Sequence, residues 1–274
     1  MTINCKGNLI DLSTPQIMGI LNLTPDSFYD GGKYKSESDI LNQVEKMITE
    51  GATFIDLGAY SSKPGADHIS ETEEEKRLLP VVELLIKHFP DILLSIDTFR
   101  SSIAKKAVAS GAAIINDISG GSLDPNMHKT IGELQVPYIM MHMRGNPQNM
   151  QQQTDYDNII RDLLQYFAQK VIELKYEKVN DIIIDLGFGF SKTLEQNYTL
   201  LKHLKEFKIL ELPILTGISR KSMLYKLLDT TSQKALNATT AANTIALMNG
   251  TNILRVHDVR EAHEAVKIFN QLNQ

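Results

Sequence analysis

The sequence is poor in cysteine: Cys5 is the only one among 274 residues. A single thiol excludes a disulfide within the chain and a metal cluster built from several cysteines. The opening residues, MTINCKGNLIDL, lack the basic region and the apolar stretch of a secretory signal. These features together lead us to expect a protein of the reducing cytoplasm.

Long hydrophobic runs and an excess of basic residues are missing as well. The longest uncharged apolar runs have the length of a β-strand and fall far short of the ~18 residues of a membrane-spanning helix. Lysine and arginine number 28 against 33 acidic residues, so the formal net charge is −5. Broad electrostatic capture of nucleic acid, which depends on many phosphate contacts, is therefore not expected. A small anionic substrate held by a few cations is compatible with this charge.

The sequence does contain a regular alternation of two patterns. Short apolar or β-branched segments are separated by stretches with helical spacing, such as Ile159, Leu163, Phe167, Val171 and Leu174. Parallel strands that are covered on both faces have this continuous apolar character. The alternation predicts an α/β fold, a single (β/α)8 TIM barrel with parallel strands. The predicted strands are QIMGIL (16–21), FIDLGA (54–59), LLSIDT (93–98), AIINDIS (113–119), PYIMMH (137–142), DIIIDLG (181–187), PILTGIS (213–219) and NILRVH (252–257).

An open, doubly wound sheet is the alternative architecture. It is disfavoured because no Gly-x-Gly-x-x-Gly pattern follows the first strand, and GFGF (187–190) follows the sixth strand without a third glycine. The chain has no sequence repeat beyond the βα rhythm, no low-complexity tract and no interdomain linker. We therefore predict one domain over residues 1–274, with an N-terminal lead-in at 1–15 and the barrel at 16–271.

Polar side chains occur where most of the predicted strands end. In a TIM barrel the carboxyl ends of the strands surround the active site, so these side chains would form a ring around one mouth. Each of them could equally be a helix cap or a turn former. A group of this size favours a site, because burying several carboxylates costs free energy unless partners satisfy them. The ring consists of Asn22, Asp56, Asp97, Asn116, Asp117, His142, Asp185, Ser219, Arg220, Lys221, Arg255 and His257.

Part of this ring has the donors and acceptors that a flat heterocycle needs. Asp97, Asn116 and Asp185 offer acceptors and an amide for a ring system rich in N–H groups. Lys221 and Arg255 are cationic donors for carbonyl oxygens, and an arginine can also stack on an aromatic plane. The pattern therefore predicts a site for a heterocyclic substrate.

The rest of the ring is suited to a phosphate and a metal ion. Asn22 offers the hard oxygen that suits a Mg²⁺ ion retaining most of its waters. Arg255 and His257 are two residues apart on one strand face and are predicted to contact phosphate, although His257 could be purely structural. Asp258 and Glu261 resemble a capping box at the start of the last helix, where free N–H groups would also attract an anion.

The sequence resembles the dihydropteroate synthases. The resemblance rests on motifs in the order of that family, from about Gln16 to the last helix: MGILNLTPDSFYDGG, DLGAYSSKPGA, SIDTFRSSIAKKAV, INDISGG, MHMRGNPQNMQ, DLGFGFSK, GISRKSM and LRVHDVREA. It implies a (β/α)8 barrel that condenses 6-hydroxymethyl-7,8-dihydropterin diphosphate with 4-aminobenzoate to form the folate precursor 7,8-dihydropteroate. Sulfonamides would compete with the aminobenzoate, and Mg²⁺ would be the cofactor.

The same resemblance implies roles for individual residues. The catalytic residues would be Lys221, Asp97, Arg255 and His257. Pterin-binding residues would be Asp97, Asn116, Ile118, Met141, Asp185, Phe190, Gly217, Lys221 and Arg255. Diphosphate would be bound by Asn22, Lys63, Arg255 and His257, with Asn22 also holding Mg²⁺. Aminobenzoate would be surrounded by Phe28, Ser62, Pro64, Ser219 and Lys221. A homodimer through the last helices is implied too, where Ile245, Leu247, Met248, Val266 and Phe269 are either core or interface residues.

We expect a dissociative, SN1-like displacement, because the electron-rich dihydropterin can delocalise positive charge at its methylene carbon. Such a step needs stabilised diphosphate but no protein nucleophile, so Lys221 is expected to act as a cationic donor and not as a Schiff-base nucleophile. Water would capture the cation in an open site. TPDSFYDGG and YSSKPGADH are therefore predicted to be two mobile βα loops that close over the carboxyl-terminal face of the barrel.

Three positions depart from the usual family pattern. Ser62 and Lys63 occupy places where many members have threonine and arginine, and Leu186 occupies a place where proline is common. The alternative functions are the pterin-binding barrel of cobalamin-dependent methyltransferases and a catalytically silent pterin-binding homologue. The NLTPDSF and SRKS motifs favour the synthase, and the presence of Asn22 and Lys221 argues against a silent homologue.

Overall fold

The structure, a computed structural model, describes residues 1–23, 36–61 and 68–273. An antiparallel hairpin precedes eight strands that form a closed barrel, and every neighbouring pair in the barrel is parallel. The predicted (β/α)8 fold is confirmed: seven predicted segments each contain one barrel strand, and the remaining strand extends one residue beyond the segment 16–21, to Asn22. The hairpin strands are β1 (Thr2–Cys5) and β2 (Asn8–Asp11). The barrel strands are β3 (Gln16–Asn22), β4 (Phe54–Gly58), β5 (Leu93–Asp97), β6 (Ile114–Asp117), β7 (Tyr138–Met141), β8 (Ile182–Asp185), β9 (Ile214–Thr216) and β10 (Ile253–Val256).

Helices alternate with the barrel strands and cover the outside of the barrel. The helical spacing that starts at Ile159 gives a helix that begins at that residue, because the Asn158 side chain caps it by accepting the Arg161 N–H. None of the helices in the described ranges is long and apolar enough to cross a membrane. The helices are α1 (Glu37–Thr49), α2 (Glu71–His88), α3 (Ser101–Ala109), α4 (Met127–Leu134), α5 (Ile159–Tyr176), α6 (Leu194–Lys202), α7 (Ser222–Tyr225), α8 (Leu236–Met248) and α9 (Val259–Leu272).

Strand β7 shows how side-chain alternation divides the core. Tyr138 and Met140 lie in the large apolar cluster between the barrel and its helices. Ile139 belongs to a second cluster inside the barrel, and Met141 belongs to a third cluster at the carboxyl-terminal end. Successive residues of a strand point to opposite faces, so a strand covered on both sides is apolar throughout.

The N-terminal hairpin closes the bottom of the barrel. Lys6 and Gly7 both have positive φ angles, 55° and 85°, as a two-residue hairpin turn requires. Ile3, Cys5 and Leu12 are buried in the same cluster as the first inward-facing residues of the barrel strands. Burial raises the pKa of the Cys5 thiol to about 12, so this thiol stays protonated at neutral pH. The residues predicted only as a lead-in thus form part of the core.

The barrel interior changes from apolar to polar along its axis. Phe54 on β4 and Leu93 on β5 belong to the bottom cluster, and two residues further along each strand are Asp56 and Ser95. The same step on β8 leads from Ile183 to Asp185. Because every strand runs in the same direction, the polar side chains collect at the carboxyl-terminal end.

Candidate active site

Arg255 on β10 lies at the centre of the polar end of the barrel. Its guanidinium group donates to Asp56 Oδ2 at 2.7 Å and to Asp97 Oδ2 at 3.0 Å, joining three strands. Asp56 is fully buried and also accepts hydrogen bonds from Ser95 Oγ at 2.6 Å and from the Asn116 amide at 3.2 Å. Every oxygen of Asp56 is therefore committed to holding its neighbours, as a buried carboxylate requires.

Asp97 and Asp185 offer carboxylate oxygens at this end of the barrel. Burial raises the pKa of Asp97 to about 7, although the Arg255 guanidinium lowers it. Burial also raises the pKa of Asp185, while the Lys221 ammonium and the Gly187 N–H oppose the shift. The Asp185 Oδ1 atom accepts that N–H at 2.8 Å. These two acids and the Asn116 amide have the acceptors and donors that the N–H edge of a heterocycle would need.

Lys221 projects toward the turn that follows β8. Its Nζ atom donates to the Phe188 carbonyl at 2.5 Å and lies 4.8 Å from the centroid of the Phe190 ring. Burial lowers the pKa of Lys221 to about 8, while the Asp185 carboxylate opposes that shift. The ammonium group is therefore held as a hydrogen-bond donor beside an aromatic face.

An apolar wall stands beside these charges. Ile118, Met141 and Phe190 lie in one cluster, together with Tyr60 and other residues. Gly217 faces Arg255, and a Cβ atom on Gly217 would lie 3.8 Å from the arginine side chain. The predicted pterin-binding residues are thus brought together around one mouth.

His257 and Ser219 contact each other between β9 and β10. The Ser219 Oγ atom is 3.1 Å from His257 Nδ1 and accepts the His257 backbone N–H at 3.2 Å. Arg220, between Ser219 and Lys221, has a positive φ of 55° and donates to both oxygens of Asp258 at 2.8 Å. This clamp joins the loops that follow the two strands.

The predicted capping box at Asp258 and Glu261 is wrong. Asp258 is the N-cap residue of α9, yet its side chain makes no capping hydrogen bond. Its carboxylate binds Arg220 instead, because a charge-assisted bidentate pair is stronger than a single bond to a backbone N–H.

Asn22 ends β3, and Gly58 of β4 lies between it and Asp97 of β5. A Cβ atom added to Gly58 would lie 3.7 Å from Asn22 Oδ1 and 3.4 Å from Asp97 Cβ. Both side chains therefore approach the glycine closely. Within the described part of the chain, no group of three or more His, Cys, Asp or Glu side chains could hold a metal ion. A single amide oxygen fits Mg²⁺ only if the ion keeps waters and shares the phosphates of a substrate.

Known proteins resemble this chain over nearly its whole length. The Pterin binding enzyme family matches residues 18–257. A dihydropteroate synthase of Escherichia coli K12 is 40% identical over 270 residues, which cover 98% of this chain and 95% of that protein. The chain belongs to the dihydropteroate synthase family. This membership confirms the predicted family and enzyme class, a transferase of folate synthesis.

Solved dihydropteroate synthases share the fold. The Yersinia pestis enzyme in complex with a sulfonamide drug has a TM-score of 0.96 and 40% identity, covering 100% of this chain and 99% of that one. The Xanthomonas albilineans enzyme with 4-aminobenzoic acid has a TM-score of 0.91 and 31% identity, covering 99% and 98%.

Two residues of the predicted ring do not face the barrel mouth. Asp117 accepts hydrogen bonds from the Tyr138 hydroxyl at 2.7 Å and from the Ser119 and Gly121 N–H groups, so it forms a turn. The His142 ring packs edge-on against Tyr166 of α5, with 4.7 Å between the ring centroids. Asp117 is thus a turn former, and His142 packs against a helix.

Two residues of the site were missed, and four predicted ones lie outside the described residues. The strand-end pattern includes Asp56 in the ring without indicating a role for it, although its position two residues after Phe54 marks it as inward-facing. Lys192 was not noticed, because its partners are mainly backbone carbonyls. Phe28, Ser62, Lys63 and Pro64 belong to 24–35 and 62–67, as do most residues of the two predicted mobile loops.

Proposed function

We propose that this chain joins 6-hydroxymethyl-7,8-dihydropterin diphosphate to 4-aminobenzoate and forms 7,8-dihydropteroate and diphosphate. The observation that carries the proposal is the arrangement around Arg255, which is paired with Asp56 and Asp97 beside Asp185 and Lys221. This arrangement places acceptors for the N–H groups of a pterin and donors for its carbonyl oxygen together at the carboxyl-terminal mouth of the barrel. Sulfonamides are proposed as competitors, in line with the drug complex of the Yersinia pestis relative.

The pterin is bound by three kinds of contact. The polar edge of the pterin is bound by the Asp97 and Asp185 carboxylates, which accept its N–H groups, and by the Asn116 amide. Lys221 donates to the carbonyl oxygen of the pterin. Arg255 presents its guanidinium plane to the ring system, held in orientation by Asp56. Ile118, Met141 and Phe190 form the apolar side of the pocket.

The diphosphate is bound by cations at the same mouth. Arg255 and His257 are near the start of α9, whose first N–H groups add positive potential. Asn22 and the diphosphate oxygens would hold Mg²⁺, which when bound supplies electrostatic stabilisation of the leaving group. Lys63 and the aminobenzoate residues Phe28, Ser62 and Pro64 are further parts of this proposal.

The displacement follows a dissociative, SN1-like course. As the bond between the methylene carbon and the diphosphate oxygen breaks, Arg255 and His257 stabilise the negative charge on the leaving group. The dihydropterin, held by Asp97 and Asp185, delocalises the positive charge. The amine of 4-aminobenzoate then attacks the methylene carbon and loses one N–H proton to the released diphosphate or to water, and Lys221 acts as a donor throughout. A protein nucleophile is not required.

A cytoplasmic homodimer is also proposed. The structure divides the apolar residues of the last helices: Leu247 and Val266 are buried in the core, whereas Ile245 and Met248 are 48% and 63% exposed. Ile268 and Leu272 of α9 are exposed as well. Exposed apolar side chains on two neighbouring helices are typical of an interface between copies.

The test is product formation by the purified chain with Mg²⁺ and both substrates, detected by mass and by released diphosphate. Lys221→Ala and Asn22→Ala should each lower turnover about 10²–10³-fold, the usual loss for one group that stabilises charge. Lys226→Ala, an exposed lysine five residues further on, should be unaffected.

Other outcomes distinguish the alternatives. Pterin binding without product would indicate a silent homologue, and Ser62→Thr with Lys63→Arg would then be tested for recovery of activity. Methyl transfer from methyltetrahydrofolate to an added cobalamin protein, without pteroate formation, would indicate the methyltransferase.

A further inference from the structure

Lys192 is a buried lysine in the turn between β8 and α6. Its side chain is 4% exposed, and Nζ has four possible acceptors within hydrogen-bond distance. These are His142 Nδ1 at 3.1 Å and the carbonyls of His142, Gly187 and Phe190 at 3.3, 3.0 and 2.8 Å. An ammonium group has three N–H donors and no acceptor, so it fits a cage made only of acceptors.

The acceptor cage favours the ammonium form of Lys192, whereas burial favours the neutral amine. Burial lowers the pKa of Lys192 well below its usual value, while the Asp185 carboxylate opposes the shift. Burial also keeps the pKa of His142 well below its usual value, so its imidazole is neutral and can accept at Nδ1.

The Lys192 bonds hold together a turn that lies between β8 and α6, outside both elements. In the Gly187–Phe190 turn, Gly187 and Gly189 have positive φ angles of 68° and 82°. A Cβ atom on Gly187 would lie 2.1 Å from the His142 carbonyl oxygen, so the turn lies directly against the end of β7. Lys192 Nζ donates to the His142 and Gly187 carbonyls, which lie on the two sides of this contact. It also donates to the Phe190 carbonyl at the far end of the turn.

The Gly187–Phe190 turn also determines where Lys221 lies. The Phe188 carbonyl accepts from Lys221 Nζ at 2.5 Å, and the Phe190 ring lies 4.8 Å from the same atom. A Cβ atom on Gly189 would lie 3.4 Å from Lys221 Cδ. The stem, the ammonium group and the aromatic contact of Lys221 are all set by these residues.

We propose that Lys192 is a positioning residue for the pterin site: it fixes the Gly187–Phe190 turn and so holds Lys221 in place to bind the substrate. In this role Lys192 acts through Lys221 and not on the substrate itself. The identity of the ligand rests on the proposed function, but the coupling between Lys192 and Lys221 rests on the contacts above. Asn197 supports the same turn from α6, since its Oδ1 atom accepts the Gly189 N–H at 2.7 Å.

The test is a double-mutant cycle on affinity for 6-hydroxymethyl-7,8-dihydropterin diphosphate, measured by calorimetry without aminobenzoate. Lys192→Met keeps most of the side-chain volume and removes the donors. It should weaken binding about tenfold in the wild-type chain but less than about twofold in Lys221→Met, because residues that act through each other are not additive. Lys202→Met, at the exposed end of α6, should change neither value.

A purely structural role predicts a different result. Lys192→Met would then lower the melting temperature but weaken binding equally in both backgrounds, or not at all, and the proposal would be wrong. If Lys192→Met does not fold, Asn197→Ala takes its place in the cycle, and equal effects in both backgrounds would again contradict the proposal. If the wild-type chain does not bind the pterin diphosphate, the proposed function fails instead, which the wild-type titration reports separately.

Discussion

Two buried carboxylates show how neighbours decide what a side chain can do. Asp56 accepts from Ser95, Asn116 and Arg255, so its oxygens are occupied by the protein itself. Among the residues that the structure describes, Asp97 has one side-chain partner, Arg255, and burial raises the pKa of Asp97 to about 7 despite that partner. Asp56 therefore holds the site together, and Asp97 has an oxygen left for a ligand.

Asp97 should make folding stability depend on pH. Its pKa is about 7 when folded against 3.8 for the free group, so between these values the folded state binds a proton that the unfolded state lacks. The stabilisation from Asp97 is complete below the lower value and is lost as pH rises toward the upper one. The free energy of unfolding of wild type relative to Asp97→Asn should fall with pH, by at most about 1.4 kcal/mol per unit. Urea unfolding at pH 5 to 8 measures this.

A different pH dependence would contradict this prediction. If the difference in unfolding free energy between wild type and Asp97→Asn stays constant from pH 5 to 7, Arg255 keeps Asp97 ionised throughout. The attraction between the two side chains would then outweigh the effect of burial on the Asp97 pKa. Glu83→Gln, which changes an exposed acid on α2, is the control and should give a flat difference at every pH.

Among the elements, the N-terminal hairpin should contribute stability without affecting the site. Ile3 is 1% exposed and packs in the bottom cluster, whereas Leu9 on the other strand is 71% exposed. Ile3→Ala should cost about 2–5 kcal/mol of unfolding free energy, and Leu9→Ala less than about 0.5 kcal/mol. The KM for both substrates should be unchanged in either variant, because the site is at the opposite end of the barrel. A raised KM in Ile3→Ala would show that the two ends are coupled.

At the scale of the elements, the sequence predicts features that depend on neighbouring residues and misses contacts between residues far apart in the chain. The barrel strands were predictable because burial on both faces makes them continuously apolar. The hairpin was missed, since TINC and NLID are short and partly exposed. Asp97, Asn116 and Asp185 were found from their places at strand ends. The capping prediction for Asp258 failed because its partner, Arg220, is 38 residues away in sequence, and no local motif reports such a pair.

At the scale of the whole molecule, the exposed apolar residues of α8 and α9 should form the dimer interface. Ile245 and Met248 are one turn apart on α8, as are Ile268 and Leu272 on α9. Met248→Lys combined with Ile268→Lys places two charges in that surface, which costs association free energy when they are desolvated. Light scattering should give the mass of two chains for wild type and of one chain for the double variant. Ile172→Lys, an equally exposed position on α5, is the control, because α5 packs against α4 and α6 instead. A double variant that still has the mass of two chains would place the interface elsewhere, and a monomeric wild type would remove the dimer from the proposal.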